Sequence, residues 1–460
     1  MLCCDFHRIH LDGNKIMSMF GTSGVRGPIG ETVTADLALS IGRAIATAGA
    51  EAVLVGRDSR NSGQFLADAV AAGVAECGAD VIDLGQVATP TLARHIARLD
   101  ADAGVVITAS HNPAPDNGLK LWTPSGQAFD TDQRDRITEI IDHRDYVFAD
   151  WDASGDRQRD STATAAHETA LVEAVESDIV EGLEVVVDIG NGVGGVTADA
   201  FSELDADVTT LNAQPDGSFP GRPSEPTAET LTALCAQVGG TDADLGIAHD
   251  GDADRMLAVD ETGTFVPKDV LLALFARYAV QEADGGQVAV PVDTSRCVED
   301  AVTEAGGEVV RTKVGDVFVA AAAAEPAAVF GGEPSGAWIW PAETLCPDGP
   351  LAACKLATLV GSRGPLSELV GSVDTYPLSR DNIAVEDKAA VMEQVAADVQ
   401  SDFERVDTID GIRVDTDDGW FLIRASGTQP LVRVTSEART EAAAEQLRKT
   451  AVDRVTAARE

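Results

Sequence analysis

The chain has 460 residues, 44% of them hydrophobic, a length that suits three or four folded domains better than a single core. Its 76 acidic and 34 basic residues leave a net charge of −42, which disfavours binding to nucleic acids or to anionic membranes. No apolar run approaches the roughly 18 residues that a membrane span needs. We therefore expect no nucleic-acid partner and no membrane partner.

The acidic residues are spread through segments with apolar patterning, and this argues against an acidic tail or block that binds basic proteins. Only seven of the basic residues are lysines. At molar salt the Debye length falls to about 3 Å, so a dense layer of surface carboxylates becomes tolerable. The composition therefore predicts the cytoplasmic enzyme of a halophile.

Seven cysteines, an odd number without C-x-x-C spacing, argue against a disulfide framework and against a zinc site. The first 16 residues lack the apolar core of a signal peptide. We interpret residues 1–16 as a non-structural leader and expect translation to begin at Met17 or Met19.

Short apolar strands, each followed by turn residues and then by helical patterning, open at residues 52–55, 185–187 and 288–290. Their spacing is roughly one domain each, so the pattern predicts consecutive α/β domains. The last helix is predicted at residues 441–454, where alanine and mixed charges are typical of an amphipathic surface helix.

Residues 108–113 read T-A-S-H-N-P and follow the apolar run at 104–107. In an open α/β sheet, the carboxyl ends of the strands are where ligands bind. Ser110, with His111 beside it and Lys120 ten positions on, is suited to be a nucleophile or the carrier of a transferred group. A polar turn that merely ends a strand is the alternative interpretation.

A second loop places Asp250, Asp252 and Asp254 at alternate positions after another short apolar stretch. Alternate residues of an extended loop can turn their oxygens toward one point, and such a set suits Mg²⁺. Glu261 stands where a calcium-binding EF-hand has its last glutamate ligand. An EF-hand, however, needs glycine where Arg255 stands and a helix where a strand is predicted. In a chain this acidic, a solvated surface is the alternative to a metal site.

Residues 424–430, R-A-S-G-T-Q-P, precede Arg433 and have the composition of an anion-binding loop. Glycine lets backbone N–H groups approach, the two hydroxyls donate, and two guanidinium groups can grip phosphate oxygens. Residues 331–336, G-G-E-P-S-G, add a carboxylate and a hydroxyl that suit a polyol, although this sequence by itself is more often a turn.

These four segments resemble the α-D-phosphohexomutase family, whose members move phosphate between the 1- and 6-positions of a hexose. The serine, aspartate and arginine loops stand in the family's order and spacing, and the resemblance covers nearly the whole chain. Further matching segments are residues 20–27, 55–63, 89–90, 188–192, 312–316 and 348–349.

The resemblance implies an α/β fold of three similar mixed-sheet domains and a smaller C-terminal α+β domain around a central cleft. The expected domains are residues 17–152 with the phosphoserine loop, 158–258 with the Mg-binding loop, 259–372 with the sugar-binding loop, and 375–460 with the phosphate-binding loop. Each domain would then supply one loop to the cleft.

The family's catalytic roles map onto this chain residue by residue. Ser110 matches the phosphoserine, which gives its phosphate to the substrate and takes one back from the other end through a hexose 1,6-bisphosphate, which also serves as activator. Asp250, Asp252 and Asp254, with an oxygen of Ser110, match the Mg²⁺ ligands. The residues expected beside the reacting groups are Arg26, His111, Lys120 and Arg255, and either His111 or Lys120 could be the base.

The substrate-binding residues implied are Lys313, Glu333, Ser335, Arg424, Ser426, Gly427, Thr428 and Arg433. Ala337 stands where many members have histidine, and the sugar loop resembles that of archaeal-type phosphoglucosamine mutases. We therefore expect a monomer or homodimer that converts the phosphosugar glucosamine 6-phosphate to glucosamine 1-phosphate for amino-sugar synthesis. The alternatives are a broad phosphoglucomutase/phosphomannomutase, an Mg-dependent sugar phosphatase and a sugar-phosphate-binding protein.

Overall fold

The computed structural model describes residues 20–21, 24–426 and 431–459. The predicted leader lies outside the described residues, as do Gly427 and Thr428. Contacts divide the chain into a first unit, Met1–Phe265 with Thr344–Gly361, and a second unit, Val266–Glu343 with Ser362–Glu460. Within the described ranges, no helix combines the length and the apolar character that a membrane span requires.

The first unit begins with a seven-stranded mixed sheet in the order β1-β2-β6-β5-β3-β4-β7. Strands β3, β4, β5 and β7 are parallel, whereas β6 and β2 run antiparallel to their neighbours. The strands are β1 (Phe20–Gly21), β2 (Gly24–Pro28), β3 (Ala52–Arg57), β4 (Asp80–Gln86), β5 (Ala103–Ile107), β6 (Asp116–Trp122) and β7 (Arg157–Arg159). The helices are α1 (Ala35–Thr47), α2 (Gly63–Glu76), α3 (Thr89–Arg98) and α4 (Thr131–His143).

A four-stranded sheet in the order β11-β10-β8-β9 follows in the same unit, and only β11 is antiparallel to its neighbour. Its strands are β8 (Glu184–Asp188), β9 (Asp207–Leu211), β10 (Leu245–His249) and β11 (Met256–Asp260). The helices are α5 (Ala163–Glu173), α6 (Ser177–Val180), α7 (Gly195–Glu203) and α8 (Thr232–Gly239). Strand β10 is buried throughout, as expected for a central strand covered on both faces.

The second unit opens with a four-stranded sheet in the order β13-β12-β14-β15. Its helices are α9 (Lys268–Glu282), α10 (Arg296–Glu304) and α11 (Asp316–Ala323), and its strands are β12 (Gln287–Pro291), β13 (Glu308–Thr312), β14 (Ala328–Glu333) and β15 (Ala337–Ile339). Helix α12 (Gly349–Arg363) lies mostly in the segment that belongs to the first unit.

The second unit ends with an antiparallel sheet in the order β16-β20-β19-β18-β17. Its elements are α13 (Leu366–Gly371), β16 (Leu378–Ala384), α14 (Lys388–Asp402), β17 (Val406–Asp407), β18 (Ile412–Asp415), β19 (Gly419–Ala425), β20 (Leu431–Ala438) and α15 (Glu441–Arg459). The predicted strands at 52–55, 185–187 and 288–290 are confirmed, and the last helix continues beyond the predicted residue 454.

Strand β19 shows how alternation in the sequence builds the second unit. Phe421 and Ile423 face one side and belong to the core that α14 and α15 cover. Trp420 and Leu422 face the other side and pack against Val292 at the end of β12. Successive strand residues point to opposite faces, so Arg424 lies on the same side as Leu422.

Candidate active site

Ser110 lies in the loop after β5, as the sequence predicts, and only 1% of it is exposed. Its backbone is in the left-handed region with φ of 52°, a conformation that costs a non-glycine residue about 1–2 kcal/mol. The Ser110 N–H donates to the Thr108 hydroxyl at 2.8 Å, which helps to hold this conformation. The strain is typical of a residue that the surrounding structure holds in place for a function.

Arg60 holds the loop around Ser110 from behind. Its buried guanidinium donates to the Asp58 carboxylate at 3.1 Å. It also donates to four carbonyl oxygens of the loop, those of Ser110 (2.8 Å), Asn112 (2.6 Å), Pro113 (2.8 Å) and Asp116 (2.8 Å). Sequence reasoning missed this role, because an arginine in a polar loop is usually exposed and nothing in the sequence marks Arg60 as buried.

Asp250, Asp252 and Asp254 follow β10 and are buried, with carboxylate oxygens within 4.8 Å of one another. The Ser110 hydroxyl donates to Asp250 Oδ2 at 2.5 Å. The two loops approach closely because Gly251 separates the first two aspartates; a Cβ at this position would lie 2.9 Å from the Ser110 carbonyl oxygen. The structure therefore brings the predicted serine loop and the predicted metal loop together.

Lys120 on β6 supplies the positive charge that these carboxylates need. Its ammonium donates to Asp252 at 2.6 Å and to Asp254. Asp252 also accepts from the Thr89 hydroxyl at 2.6 Å. Although burial opposes the charge of Lys120, the two carboxylates raise the pKa of its ammonium, so Lys120 is held as a cation.

One lysine does not satisfy three buried carboxylates. Burial and the charges of Asp252 and Asp254 raise the pKa of Asp250 well above its usual range. Among the described residues, the Oδ1 atoms of Asp252 and Asp254 have no hydrogen-bond partner. Unpartnered, buried carboxylate oxygens that converge on one point are the donor set that a hard divalent cation prefers. The three aspartates can therefore hold a metal ion.

Arg26 and His111 complete this site. Arg26 on β2 pairs with Gly118 on β6, two positions from Lys120, so both cations lie on the same face of the sheet. Burial, followed by the positive charges of Arg255, Arg26 and Lys120, lowers the pKa of His111 to about 2. The imidazole is therefore neutral at pH 7, and its Nδ1 lies 3.3 Å from the Ser110 hydroxyl.

His249 closes the metal loop rather than entering the site. Its Nδ1 lies 2.9 Å from the Arg255 carbonyl oxygen at the far end of the loop, and its Nε2 lies 2.8 Å from the Thr197 hydroxyl. Both ring nitrogens are thus engaged by protein groups. Gly349 supports the same loop, since a Cβ there would lie 2.5 Å from the Arg255 carbonyl oxygen.

The predicted sugar loop is a hairpin turn between β14 and β15. Glu333 accepts the Gly315 N–H at 2.7 Å and the Ser335 hydroxyl at 3.2 Å. Behind the turn, Trp338 packs on Phe275 with ring centroids 5.3 Å apart. The turn therefore rests on a rigid aromatic core and presents a carboxylate and a hydroxyl together. Lys313 is exposed, with its ammonium 5.6 Å from the centre of the Phe318 ring.

The sugar loop lines a cavity of about 430 Å³ within the second unit. Besides Glu333 and Ser335, the lining includes Asp269 and Asp293. Burial raises the pKa of Asp269 to about 6, although its carboxylate accepts the Ser295 N–H at 3.1 Å. The cavity thus combines sugar-binding chemistry with two carboxylates that sequence reasoning did not single out.

The predicted phosphate loop begins on a sheet face that carries opposed arginines. Arg424 on β19 pairs directly with Arg433 on β20, and like charges in this position destabilise a sheet. Arg424 forms an ion pair with Asp410 at 3.2 Å. The two arginines and Arg380 line a cavity of about 230 Å³. Such a face is suited to bind an anion, and Arg380 is a third cation that the sequence analysis missed.

Ser426 is buried at the end of this strand, and its carbonyl oxygen accepts from the Lys388 ammonium at 2.6 Å. Gly427 and Thr428 lie outside the described residues. In the first unit the structure thus gathers Ser110, His111, Lys120 and the three aspartates. In the second unit it places Glu333 and Ser335 on one cavity and Arg424 and Arg433 on the next.

Four domain families match the chain in order. All are described as phosphoglucomutase/phosphomannomutase: alpha/beta/alpha domain I at residues 17–147, domain II at 165–263, domain III at 267–376 and the C-terminal domain at 382–454. Together they match more than half of the chain.

Curated relatives and a solved structure give the same result. A protein named probable phosphoglucosamine mutase from Methanopyrus kandleri is 47% identical over 94% of this chain and 97% of its own length. A protein of the same name from Methanothermobacter thermautotrophicus is 47% identical over 92% and 94%. The crystal structure of a phosphoglucomutase/phosphomannomutase family protein from Burkholderia thailandensis aligns with a TM-score of 0.87 at 31% identity, covering 96% of this chain and 97% of the other.

We expect Arg60→Lys to displace the serine loop, because lysine cannot donate to the Asp58 carboxylate and four carbonyl oxygens at once. The free energy of unfolding should fall by about 2–4 kcal/mol as buried acceptors lose their donors. Turnover should fall at least about tenfold through misplacement of Ser110. Thermal unfolding and kcat measure the two effects. The control is Arg57→Lys, which changes a hydrogen bond to Gln64 at the surface. Wild-type stability and wild-type turnover of Arg60→Lys would contradict the role of Arg60 in holding the serine loop.

We expect Asp269 to make the protein less stable as the pH rises from about 4 to about 6. Its pKa is about 6 when folded and about 3.9 when unfolded, so the folded state favours the protonated form. The free energy of unfolding should lose roughly 2–3 kcal/mol over this window. Asp269→Asn should lack this contribution, which urea unfolding of both proteins at several pH values would reveal as a changing difference. A difference that is constant with pH would contradict the assignment.

Proposed function

This chain belongs to the phosphoglucomutase/phosphomannomutase family, the α-D-phosphohexomutases, and from that premise we propose that it converts glucosamine 6-phosphate to glucosamine 1-phosphate. As a phosphohexomutase it is an isomerase that interconverts hexose 6-phosphate and hexose 1-phosphate. The choice of glucosamine is supported by the two relatives at 47% identity that are named probable phosphoglucosamine mutases. The observation that carries the mechanism is the Ser110 hydroxyl, 2.5 Å from Asp250 in the buried aspartate cluster.

We propose that the metal ion is Mg²⁺, held by Asp250, Asp252, Asp254 and an oxygen of phosphorylated Ser110. The unpartnered oxygens of Asp252 and Asp254 support this assignment. When bound, Mg²⁺ supplies charge neutralisation for the transferring phosphoryl group. Arg26 and Arg255, whose positive charges lower the pKa of His111, would neutralise the negative charge that remains on the aspartates and the phosphate.

In the proposed reaction the bond between phosphorus and the Ser110 oxygen breaks, and a bond forms between phosphorus and a sugar hydroxyl oxygen. The hydroxyl proton passes to a protein base. The product of this step is the hexose 1,6-bisphosphate, which also serves as the activator that restores phosphoserine. After the sugar turns over, the other phosphate returns to Ser110 and the base returns its proton to the sugar oxygen that is released, so atoms and charge balance over the cycle.

His111 is the proposed proton acceptor and Lys120 the proposed cation. Lys120 is bonded to two carboxylates that keep it protonated, which makes it a poor base. The imidazole of His111 is neutral and lies 3.3 Å from the Ser110 hydroxyl. A phosphate on Ser110 adds a charge of about −1.5 to −2, which would raise the pKa of His111 from its low value toward the range useful for proton transfer.

The second unit supplies the proposed orientation of the substrate. Arg424, Ser426 and Arg433, with Gly427 and Thr428, grip the phosphate that is not being transferred, and the opposed arginines support this role. Glu333 and Ser335 bind sugar hydroxyls, and Lys313 adds a positive charge nearby. We propose in addition that the chain forms four domains, at residues 17–152, 158–258, 259–372 and 375–460. We also propose that it is a cytoplasmic monomer or homodimer.

We expect Ser110→Ala to abolish turnover, because the Ser110 hydroxyl, which contacts Asp250 at 2.5 Å, is the proposed carrier of the transferred phosphate. The measurement is the conversion of glucosamine 6-phosphate with Mg²⁺ and a trace of the 1,6-bisphosphate. Ser59→Ala is the matched control, since Ser59 is also buried in a neighbouring loop and its hydroxyl has no hydrogen-bond partner among the residues that the structure describes. Near-full activity of Ser110→Ala would refute the phosphoserine mechanism.

We expect the wild type to prefer glucosamine 6-phosphate over glucose 6-phosphate and mannose 6-phosphate by about 100-fold in kcat/KM, or about 2.7 kcal/mol of transition-state binding. Initial rates with each sugar phosphate, in molar KCl with Mg²⁺, measure the preference. Comparable values for all three would identify a broad phosphohexomutase and remove glucosamine from the proposal.

A further inference from the structure

Asp293 lies where the two cavities of the second unit meet. It follows β12 and lines both the cavity of the sugar loop, about 430 Å³, and the cavity of the opposed arginines, about 230 Å³. Arg380 is the other residue that lines both. Asp293 is therefore placed to contact a ligand that occupies both cavities.

The Asp293 carboxylate is poised to accept a hydrogen bond. Its Oδ1 atom is buried and has no hydrogen-bond partner among the described residues. Burial raises the pKa of this carboxyl group, while the charges of Arg424 and Arg380 act in the opposite direction. A buried acceptor without a donor is costly, so such groups in native proteins call for an explanation, and a ligand that donates to the oxygen is one.

We propose that Asp293 binds the ammonium group on carbon 2 of the substrate and is thereby the residue that selects an amino sugar. This inference rests on the proposed function, which makes the substrate an amino-sugar phosphate. With the phosphate on Arg424 and Arg433 and the hydroxyls on Glu333, the rest of the sugar would lie along the lining that the two cavities share, which consists of Asp293 and Arg380. Of these two residues, Asp293 offers an ammonium group the opposite charge and an acceptor.

Asp269 lines the same cavity, but its chemistry differs. One of its carboxylate oxygens already accepts the Ser295 N–H at 3.1 Å, so this group is occupied in supporting the start of α10. It therefore serves as a matched control, because Asp269→Asn removes a buried carboxylate from the same cavity without removing an unpartnered acceptor.

Glucosamine 6-phosphate and glucose 6-phosphate differ only at carbon 2, so the pair isolates this contact. We would measure kcat/KM for both sugars, and the Kd of both by calorimetry, for wild type, Asp293→Asn and Asp269→Asn. Asp293→Asn should lose about 30- to 100-fold in kcat/KM for glucosamine 6-phosphate and change less than about threefold for glucose 6-phosphate. Asp269→Asn should change both sugars alike.

A wild type that prefers the amino sugar, together with an Asp293→Asn protein that keeps this preference, would overturn the role of Asp293 and leave the proposed function intact. Equal losses for both sugars in Asp293→Asn would also overturn it. A wild type without preference would remove the proposed function and this inference together. If thermal unfolding shows that Asp293→Asn is not folded, Asp293→Ser, which is smaller and also uncharged, provides the same comparison.

Discussion

Three carboxylates buried within 4.8 Å of one another, with one lysine between two of them, form the constraint on which the first unit depends. Burying like charges is expensive, and the protein meets the cost with the Lys120 ammonium and the Thr89 hydroxyl. Both come from elements of the first sheet and its helices, whereas the aspartates follow a strand of the second sheet. The contacts of the aspartates with Lys120 and Thr89 thus connect the two sheets of the first unit, and Ser110 lies where these sheets meet.

In the second unit the crowded charges are positive, because Arg424 and Arg433 face each other on neighbouring strands. Directly opposed arginines on neighbouring strands destabilise the sheet that carries them, and Asp410 relieves only part of the repulsion. The unit is therefore poised to gain stability when an anion binds. The anion would neutralise the positive charge that Arg424 and Arg433 place on this face of the sheet.

The sequence predicts the serine loop and the aspartate loop, because a buried strand followed by polar residues is typical of a ligand site and carboxylates at alternate positions are typical of a metal site. Ser110 and Asp250 follow buried strands, as the patterns predict. Arg424 and Arg433 instead lie opposite each other on paired strands, an arrangement that the sequence does not reveal. Arg60 and Asp293 could not be predicted, since burial, the number of carbonyl oxygens within reach and the lack of a partner are properties of packing. Nor could the sequence show that the Lys120 ammonium donates to two aspartates, Asp252 and Asp254.

Arg60 grips the serine loop by main-chain carbonyl oxygens, which every residue type carries. These contacts therefore do not depend on which side chains the loop carries. Within the loop, the Asn112 amide adds a side-chain contact by donating to the Asp116 carboxylate at 2.9 Å. The path of the loop is thus set mainly by one buried guanidinium from outside it, so its shape depends more on the position of Arg60 than on its own sequence.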